Sequence, residues 1–202
     1  CPGPYEQTAG RSRGSAGREV FPGRKDRDSR RASASVSADV PGRAGKREKR
    51  AMPELKHLEI RRMKKEDAGE AARIEAELFT SPWSQKSFEE AADSKDTLYV
   101  SAVADGQVAG YCGLWKSFED GEITNVAVDK SFQNLGIGGK LLEFLIEEGK
   151  QQGITAFLLE VRKSNAAAIH LYEKMGFVSE GVRKNFYERP KEDAVIMWKR
   201  EL

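Results

Sequence analysis

The feature that most restricts this chain is a glycine-rich bend set between a strand-like and a helix-like stretch. Gly121-Glu-Ile-Thr-Asn-Val-Ala-Val-Asp129 carries the apolar, β-branched pattern of a strand. Leu141, Leu142, Leu145 and Ile146 then fall on one helical face, and Gly153 stands just past that helix, where a left-handed residue often ends one. The bend between them reads Gln133-Asn-Leu-Gly136-Ile-Gly138-Gly139-Lys140. Glycines let backbone turn sharply and approach a ligand closely. The unpaired amides of the helix's first turn then converge on one spot, and the helix dipole adds partial positive charge there. Such a bend suits a pyrophosphate. A Walker A loop would need Gly at 134 and Ser or Thr at 141, where the chain has Asn134 and Leu141. A dinucleotide fingerprint starting at Gly136 would need a third Gly at 141 and also fails there. A bend with packing duties alone is the remaining alternative.

The rest of the core reads as strands and helices in alternation. His57–Met63 alternates apolar and polar side chains, as a half-buried strand does. A helix follows from Lys64–Asp67, with Ala68, Ala71, Ala72, Ile74, Leu78 and Phe79 as its apolar stripe. Ser84 caps a short helix holding Phe88, Ala91 and Ala92. Thr97–Ala104 and Gln107–Trp115 are strands joined through Asp105-Gly106, a two-residue hairpin signal. Thr155–Glu160 is a nearly continuous apolar run, fit for a central strand. Ser164 is expected to cap a helix with Ala168, Ile169, Leu171, Tyr172 and Met175 on its apolar side. Gly176–Val182 and Asp193–Trp198 are the last two strands. Helices interleaved with strands predict a single mixed α/β domain.

Charge divides the chain. Residues 1–51 hold 13 Lys/Arg against 6 Asp/Glu, a net of +7, which leaves −5 on residues 52–202. The first segment has no Leu, Ile, Met or Trp and is rich in Gly, Ser, Ala and Arg. It cannot bury enough apolar surface to offset ordering its backbone, at about 1–2 kcal/mol per residue, and is expected to be disordered. It lacks the apolar core or acid-free amphipathic pattern of a targeting peptide. A nucleic-acid-binding tail is a second reading of its charge. The third, preferred here, is that residues 1–51 are foreign to the native protein, because Met52 is the first methionine and directly precedes the first periodic sequence. The domain then spans residues 52–202.

No stretch approaches the roughly 18 consecutive apolar residues of a membrane span. Two cysteines, Cys1 and Cys112, make neither a disulfide framework nor a four-thiolate zinc site. Two histidines, His57 and His170, argue against a multi-histidine metal enzyme, so no metal is expected.

Gln133-x-x-Gly136-x-Gly138 resembles the Gln/Arg-x-x-Gly-x-Gly/Ala signature of the GNAT N-acetyltransferases. Leu159-Glu-Val-Arg-Lys-Ser-Asn-Ala-Ala-Ala-Ile-His-Leu-Tyr-Glu-Lys-Met-Gly-Phe177 is similar to the characteristic segment of protein N-terminal acetyltransferases. Within those it is most similar to the bacterial ribosomal-protein-alanine branch (RimI type). Ser81–Ser84 and Arg183–Tyr187 also resemble that branch, and the likeness covers residues 57–199. It implies the GNAT fold: a central mixed, mostly antiparallel twisted sheet of about seven strands flanked by about four helices. It implies acetyl-CoA as co-substrate and a protein N-terminus as acceptor, in particular the N-terminal alanine of a small-subunit ribosomal protein. A cytoplasmic monomer without membrane or direct nucleic-acid contact is the accompanying expectation. A small-molecule amine or a lysine side chain is the alternative acceptor, and nucleic-acid binding through residues 1–51 is the alternative of another class.

Acetyl transfer from a thioester to an amine needs a proton acceptor, stabilisation of the carbonyl oxygen and a donor for the departing thiolate. The resemblance places the acceptor on Glu160 and the donor on Tyr172. Read from the residues alone, Glu160 is equally an edge carboxylate paired with Arg162 or a lysine, and Tyr172 a packed core tyrosine. Glu122 is the rival base, since some family members use a glutamate in that strand. His170 projects from another side of its helix than Tyr172 and is not expected to act. Coenzyme contacts are implied for Val126, Ala127 and Val128 in the strand, for Gln133, Asn134, Leu135, Gly136, Ile137, Gly138 and Gly139 in the bend, and for Asn165 downstream. The backbone amides of Val126 and Val128 are the expected strand contacts, at a splay from the neighbouring strand. Cys112 reads as a small buried hydrophobe. Asn185 and Tyr187 are expected in a loop over the incoming peptide. Asn134 and Leu135 stand where the family usually has basic residues, leaving Lys140 as the nearest compensating charge.

Overall fold

In the computed structural model, Leu55 and residues 57–200 are described. The basic stretch 1–51, with the disorder expected of it, lies outside the described residues. The chain order is β1 (Leu58–Arg62), α1 (Ala68–Leu78), α2 (Gln85–Asp93), β2 (Thr97–Ala104), β3 (Gln107–Ser117), β4 (Asp120–Val128), α3 (Ile137–Gln151), β5 (Ala156–Arg162), α4 (Ala166–Lys174), β6 (Val178–Glu188) and β7 (Lys191–Arg200). The strands form one sheet ordered β1-β2-β3-β4-β5-β7-β6. Every neighbouring pair is antiparallel except β4 with β5, which α3 joins as a crossover. The sheet is therefore mixed and mostly antiparallel, as expected.

Local sequence accounts for most of these boundaries. Asp105 and Gly106 both take positive φ, 48° and 85°, as the tight β2–β3 hairpin requires. The Ser84 hydroxyl accepts the Ser87 amide and starts α2. Gly153, at φ 85°, follows α3. Two expectations need correction. The cap of α4 is Asn165, whose carboxamide oxygen accepts the Ala168 amide at 3.2 Å. Ser164 instead donates its amide to Glu192 at 2.6 Å. β6 begins at Val178 and runs six residues past Val182. It is the sheet's last strand and mostly exposed, so it lacks the buried alternation that reveals a strand in sequence.

Apolar side chains fill both faces of the sheet. On one face Leu141, Leu142, Leu145 and Ile146 of α3 pack with Cys112, Val126, Phe157, Leu159, Val161 and Tyr172. On the other, Ala71 and Ile74 of α1 and Phe88 of α2 meet Trp83, Tyr99, Tyr111 and Ala127. Gly113 makes room here, since a Cβ on it would lie 2.3 Å from the Tyr99 ring. Among the described residues no helix is long and apolar enough to cross a membrane.

This second core also holds a carboxyl group. Glu75 of α1 is fully buried, on the same helical stripe as Ala71 and Ile74. It accepts the Tyr111 hydroxyl on one oxygen and the Asn125 side-chain amide on the other, at 3.1 Å. Burial pushes its carboxyl up to about 8, against the opposing pull of the Trp83 backbone amide and Asn125. Burial likewise raises the nearby Tyr99 phenol, which stays protonated in this range. Between the ordinary glutamate value near 4.3 and about 8, the folded chain holds a proton that the unfolded chain has released. Its stabilising contribution is complete at acid pH and is lost as pH rises through about 8. Urea unfolding should therefore show wild-type stability falling relative to Glu75→Gln between pH 5 and 8.5, by on the order of 3 kcal/mol. A gap between the two proteins that stays constant with pH would contradict a neutral buried carboxyl.

Candidate active site

The site begins where β4 and β5 part. They pair in parallel over four positions, from Asp120 with Ala156 to Ile123 with Leu159. Beyond these, β4 continues to Val128 and β5 to Arg162 without pairing to each other. β5 instead keeps its ladder with β7 to its end, and β4 keeps its ladder with β3. The register of β4 on β3 shifts at Thr124, a bulge that redirects the strand at the fork. Asp129 donates its amide to Ala109 of the β3 segment at 2.9 Å. Alternation along the strand then turns the amides of Val126 and Val128 toward the open edge, and that of Ala127 toward β3. The expected splay is present, and two of the three predicted strand residues present their amides to it.

The bend follows directly. Asp129 accepts the Ser131 amide at 2.8 Å, folding Lys130–Phe132 into one 3-10 turn. Arg73 of α1 binds the other Asp129 oxygen at 2.7 Å and ties this turn to the second core. Gln133 reaches back to the Val128 carbonyl at 3.1 Å, so its side chain fastens the bend to β4. Asn134 sits at φ 64° and Gly136 at φ 75°. Asparagine tolerates that left-handed conformation, which gives position 134 a backbone reason. Leu135 packs against the main core, and the Ile137 side chain is buried in it. Among the described residues no side chain caps α3, and its first bond, Lys140 to Gly136, is long at 3.3 Å. The first-turn amides are thus left for an external acceptor. A Cβ on Gly138 or Gly139 would come no closer to the protein than 3.6 Å, to Leu171. The protein's own packing does not demand glycine there, whereas close approach of a ligand to backbone does.

Glu160 stands one residue past the last β4–β5 pair. Its neighbours Leu159 and Val161 face the α3 core, so its side chain emerges on the α1–α2 face. It is paired with Arg183 of β6 at 2.6 Å, and not with Arg162. Arg162 instead binds Glu192 and the carbonyls of Arg189 and Pro190, and lies over the Tyr187 ring. Tyr187 donates its hydroxyl to the Glu160 carbonyl at 3.2 Å. Asn185 and Tyr187 lie in β6 and not in a loop. The register between Arg183 and Tyr187 is bulged, Asn185 sits at φ 52°, and its amide is held by Asp193. Glu122 is on the same face as Glu160 but inside the paired ladder, opposite Leu158.

Tyr172 belongs to the other face, within the α3–α4 core. It is fully buried against Phe177, and among the described residues its hydroxyl has no hydrogen-bond partner. Burial, aided by nearby Tyr187, pushes the phenol well above its ordinary value, so it holds its proton. Glu160 and Tyr172 thus flank the fork from opposite sides, a carboxylate on one and a phenol on the other. Asn165 spends its carboxamide oxygen on the α4 cap. His170 is exposed on α4. Cys112 is buried, with its thiol pushed well up by burial and directed at the Leu141 carbonyl. Among the described residues there is no group of three or more His, Cys, Asp or Glu able to hold a metal.

Sequence reading missed Glu75, Asn125, the pairing of Arg183 with Glu160 and the Arg73–Asp129 link. Glu75 left one trace, a charge in a buried slot of the α1 stripe, four residues after Ala71. The others join elements far apart in sequence and leave none.

Comparison with known proteins agrees with this geometry. Residues 69–177 match the acetyltransferase (GNAT) family. A Bacillus subtilis (strain 168) protein, provisionally named a [ribosomal protein bS18]-alanine N-acetyltransferase, is 39% identical over 140 residues, 69% of this chain and 93% of that protein. The [ribosomal protein bS18]-alanine N-acetyltransferase of Escherichia coli (strain K12) is 37% identical over 135 residues, 65% of this chain and 89% of its own length. The crystal structure of the ribosomal-protein-S18-alanine N-acetyltransferase from Escherichia coli superimposes with a TM-score of 0.66 at 34% identity, covering 72% of this chain and 96% of that one. The parted strands, the uncapped glycine bend and these matches lead to one conclusion: the chain belongs to the GNAT family of acetyltransferases.

Proposed function

We propose that the chain acetylates a protein N-terminal α-amine with acetyl-CoA, its acceptor being the N-terminal alanine of a small-subunit ribosomal protein. The observation that carries this reading is the β4–β5 ladder ending at Ile123 and Leu159. It leaves a slot edged by strand amides, into which an extended, amide-bearing arm can hydrogen-bond as an added strand does. The residues fit acetyl-CoA on three counts: the start of α3, uncapped among the described residues, the outward amides of Val126 and Val128, and the buried Tyr172 hydroxyl, which has no hydrogen-bond partner among them. When bound, the coenzyme supplies an activated acetyl thioester.

The chain's own residues do the rest. Amides of Gly136, Ile137, Gly138 and Gly139 hold the pyrophosphate, and the side chains of Asn134 and Leu135 take little part. A strand amide at Val126 or Val128 stabilises the carbonyl oxygen as it gathers charge. Glu160 accepts the proton of the attacking amine, directly or through one water, once Arg183 yields its place to the acceptor. Tyr172, which holds its proton, is the general acid that passes it to the departing sulfur. An α-amine near pKa 8 costs about 3 kcal/mol less to deprotonate than a lysine near 10.4, so a carboxylate base suffices. The similar Bacillus and Escherichia proteins support the choice of acceptor. The working domain on this reading spans residues 52–202, and residues 1–51 are dispensable to it.

Two sets of variants test the roles. Glu160→Gln and Tyr172→Phe should each lower kcat by about 10²–10⁴-fold while calorimetry shows coenzyme affinity within about threefold of wild type. Unchanged kcat in both would remove the assigned roles. Mass spectrometry of alanine-starting peptides against lysine and polyamine acceptors then decides the acceptor class. Gly138→Asp separates binding from folding. Its carboxylate favours the α3 dipole, so Tm should hold or rise, while coenzyme Kd should rise roughly tenfold or more. Equal affinity in that variant would mean that the pyrophosphate binds elsewhere.

A further inference from the structure

Past the fork, β4 has lost the neighbour that ordinarily fixes a central strand from one side. What remains is β3, through the pairs Gly113–Asn125, Cys112–Val126, Tyr111–Ala127 and Gly110–Val128. Glu75 grips both strands of this last ladder from the α1 face. One carboxyl oxygen takes the hydroxyl of Tyr111, whose backbone partner is Ala127. The other takes the side-chain amide of Asn125, the residue immediately before Val126. The Asn125 carboxamide oxygen finds no donor among the described residues, so Glu75 is what anchors this side chain. Beside it, the Tyr99 hydroxyl lies 3.0 Å from Thr124 at the bulge. The same carboxyl also receives the backbone amide of Trp83, in the segment between α1 and α2. A buried carboxyl is a costly way to fill a core, where a leucine of similar volume needs no hydrogen bonds.

From this we propose that Glu75 is a positioning residue for acyl transfer. It touches no reacting atom, but through Asn125 and Tyr111 it holds the unpaired edge of β4 at the position from which the amides of Val126 and Val128 address the acyl group. The inference rests on the acetyl-transfer reading above.

The test uses the full chain and three substitutions. Glu75→Leu keeps the volume and removes both bonds, Glu75→Gln keeps a side chain able to make both, and Tyr111→Phe removes one donor. The first readout is amide hydrogen exchange over residues 125–128, referenced to amides inside α3. The second is kcat and acetyl-CoA KM with an N-terminal peptide acceptor. Glu75→Leu should raise exchange over 125–128 at least tenfold and lower kcat roughly tenfold to a hundredfold, with KM within about threefold because the bend is untouched. Glu75→Gln should recover both properties. If Glu75→Leu does not fold, Tyr111→Phe takes its place, judged by the same pair of changes. The proposal is overturned if kcat stays within threefold of wild type, if kcat falls without faster exchange over 125–128, or if Glu75→Gln falls as far as Glu75→Leu. A wild-type chain that transfers no acetyl group would instead overturn the functional reading, and the exchange data alone would then decide whether Glu75 holds the strand.

Discussion

Everything specific to this molecule follows from two parallel strands that stop pairing after four positions. A sheet normally satisfies backbone groups by continuing its ladders, and exposed strand edges invite another chain. Here β4 and β5 each keep an outer partner and abandon one another in the middle of the sheet. The result is an internal edge, walled by two packed faces and lined with amides. A ligand that is itself extended and rich in amides is the natural occupant of such an edge. The bulge at Thr124 starts the divergence, and the bend from Asp129 to Gly136 carries the chain from the end of that edge to the first turn of α3. Strand amides and helix-end amides are thereby continuous along one path.

The two faces of the fork divide the chemistry. The α3–α4 face is dry and apolar, which keeps the Tyr172 phenol protonated. The α1–α2 face carries polar groups into its aromatic core, and Glu160 opens on that side under Arg183. An ion-paired carboxylate in the acceptor-free chain keeps a charged group satisfied at a partly buried position. The β6–β7 hairpin supplies Arg183, and Tyr187 and Arg162 fasten it to the end of β5. The wall beside Glu160 is therefore a braced strand pair and not a free loop.

The second core does more than fill space. Arg73 reaches the bend through Asp129, and Glu75 reaches β4 through Asn125 and Tyr111. Both come from α1, within one turn of each other. A single amphipathic helix thus touches both parts of this amide-lined path through polar side chains while its alanines and isoleucine pack on the sheet. Mixed duty of this sort on one helix is invisible to a hydrophobic-stripe analysis, which reads the alanines and passes over the carboxylate.

Much of the architecture was legible without coordinates because it depends on local rules. Asp105-Gly106 encodes a tight hairpin through its tolerance of positive φ, Ser84 encodes a helix start, and the stripe Leu141–Ile146 encodes a packed helix. The glycine bend was readable as a sharp turn into a helix for the same reason, since the left-handed backbone at Gly136 follows from local geometry. β6 was underestimated because an exposed last strand carries no alternation, and Asn165, not Ser164, proved to be the cap because two polar residues competed for one position. Other features depend on which distant residues meet. Arg183 rather than Arg162 beside Glu160, the buried Glu75–Asn125–Tyr111 contact, the inward turn of Ala127's amide and the point at which β4 leaves β5 were settled by tertiary packing. Those outcomes hinge on register and burial, which no local window of sequence contains.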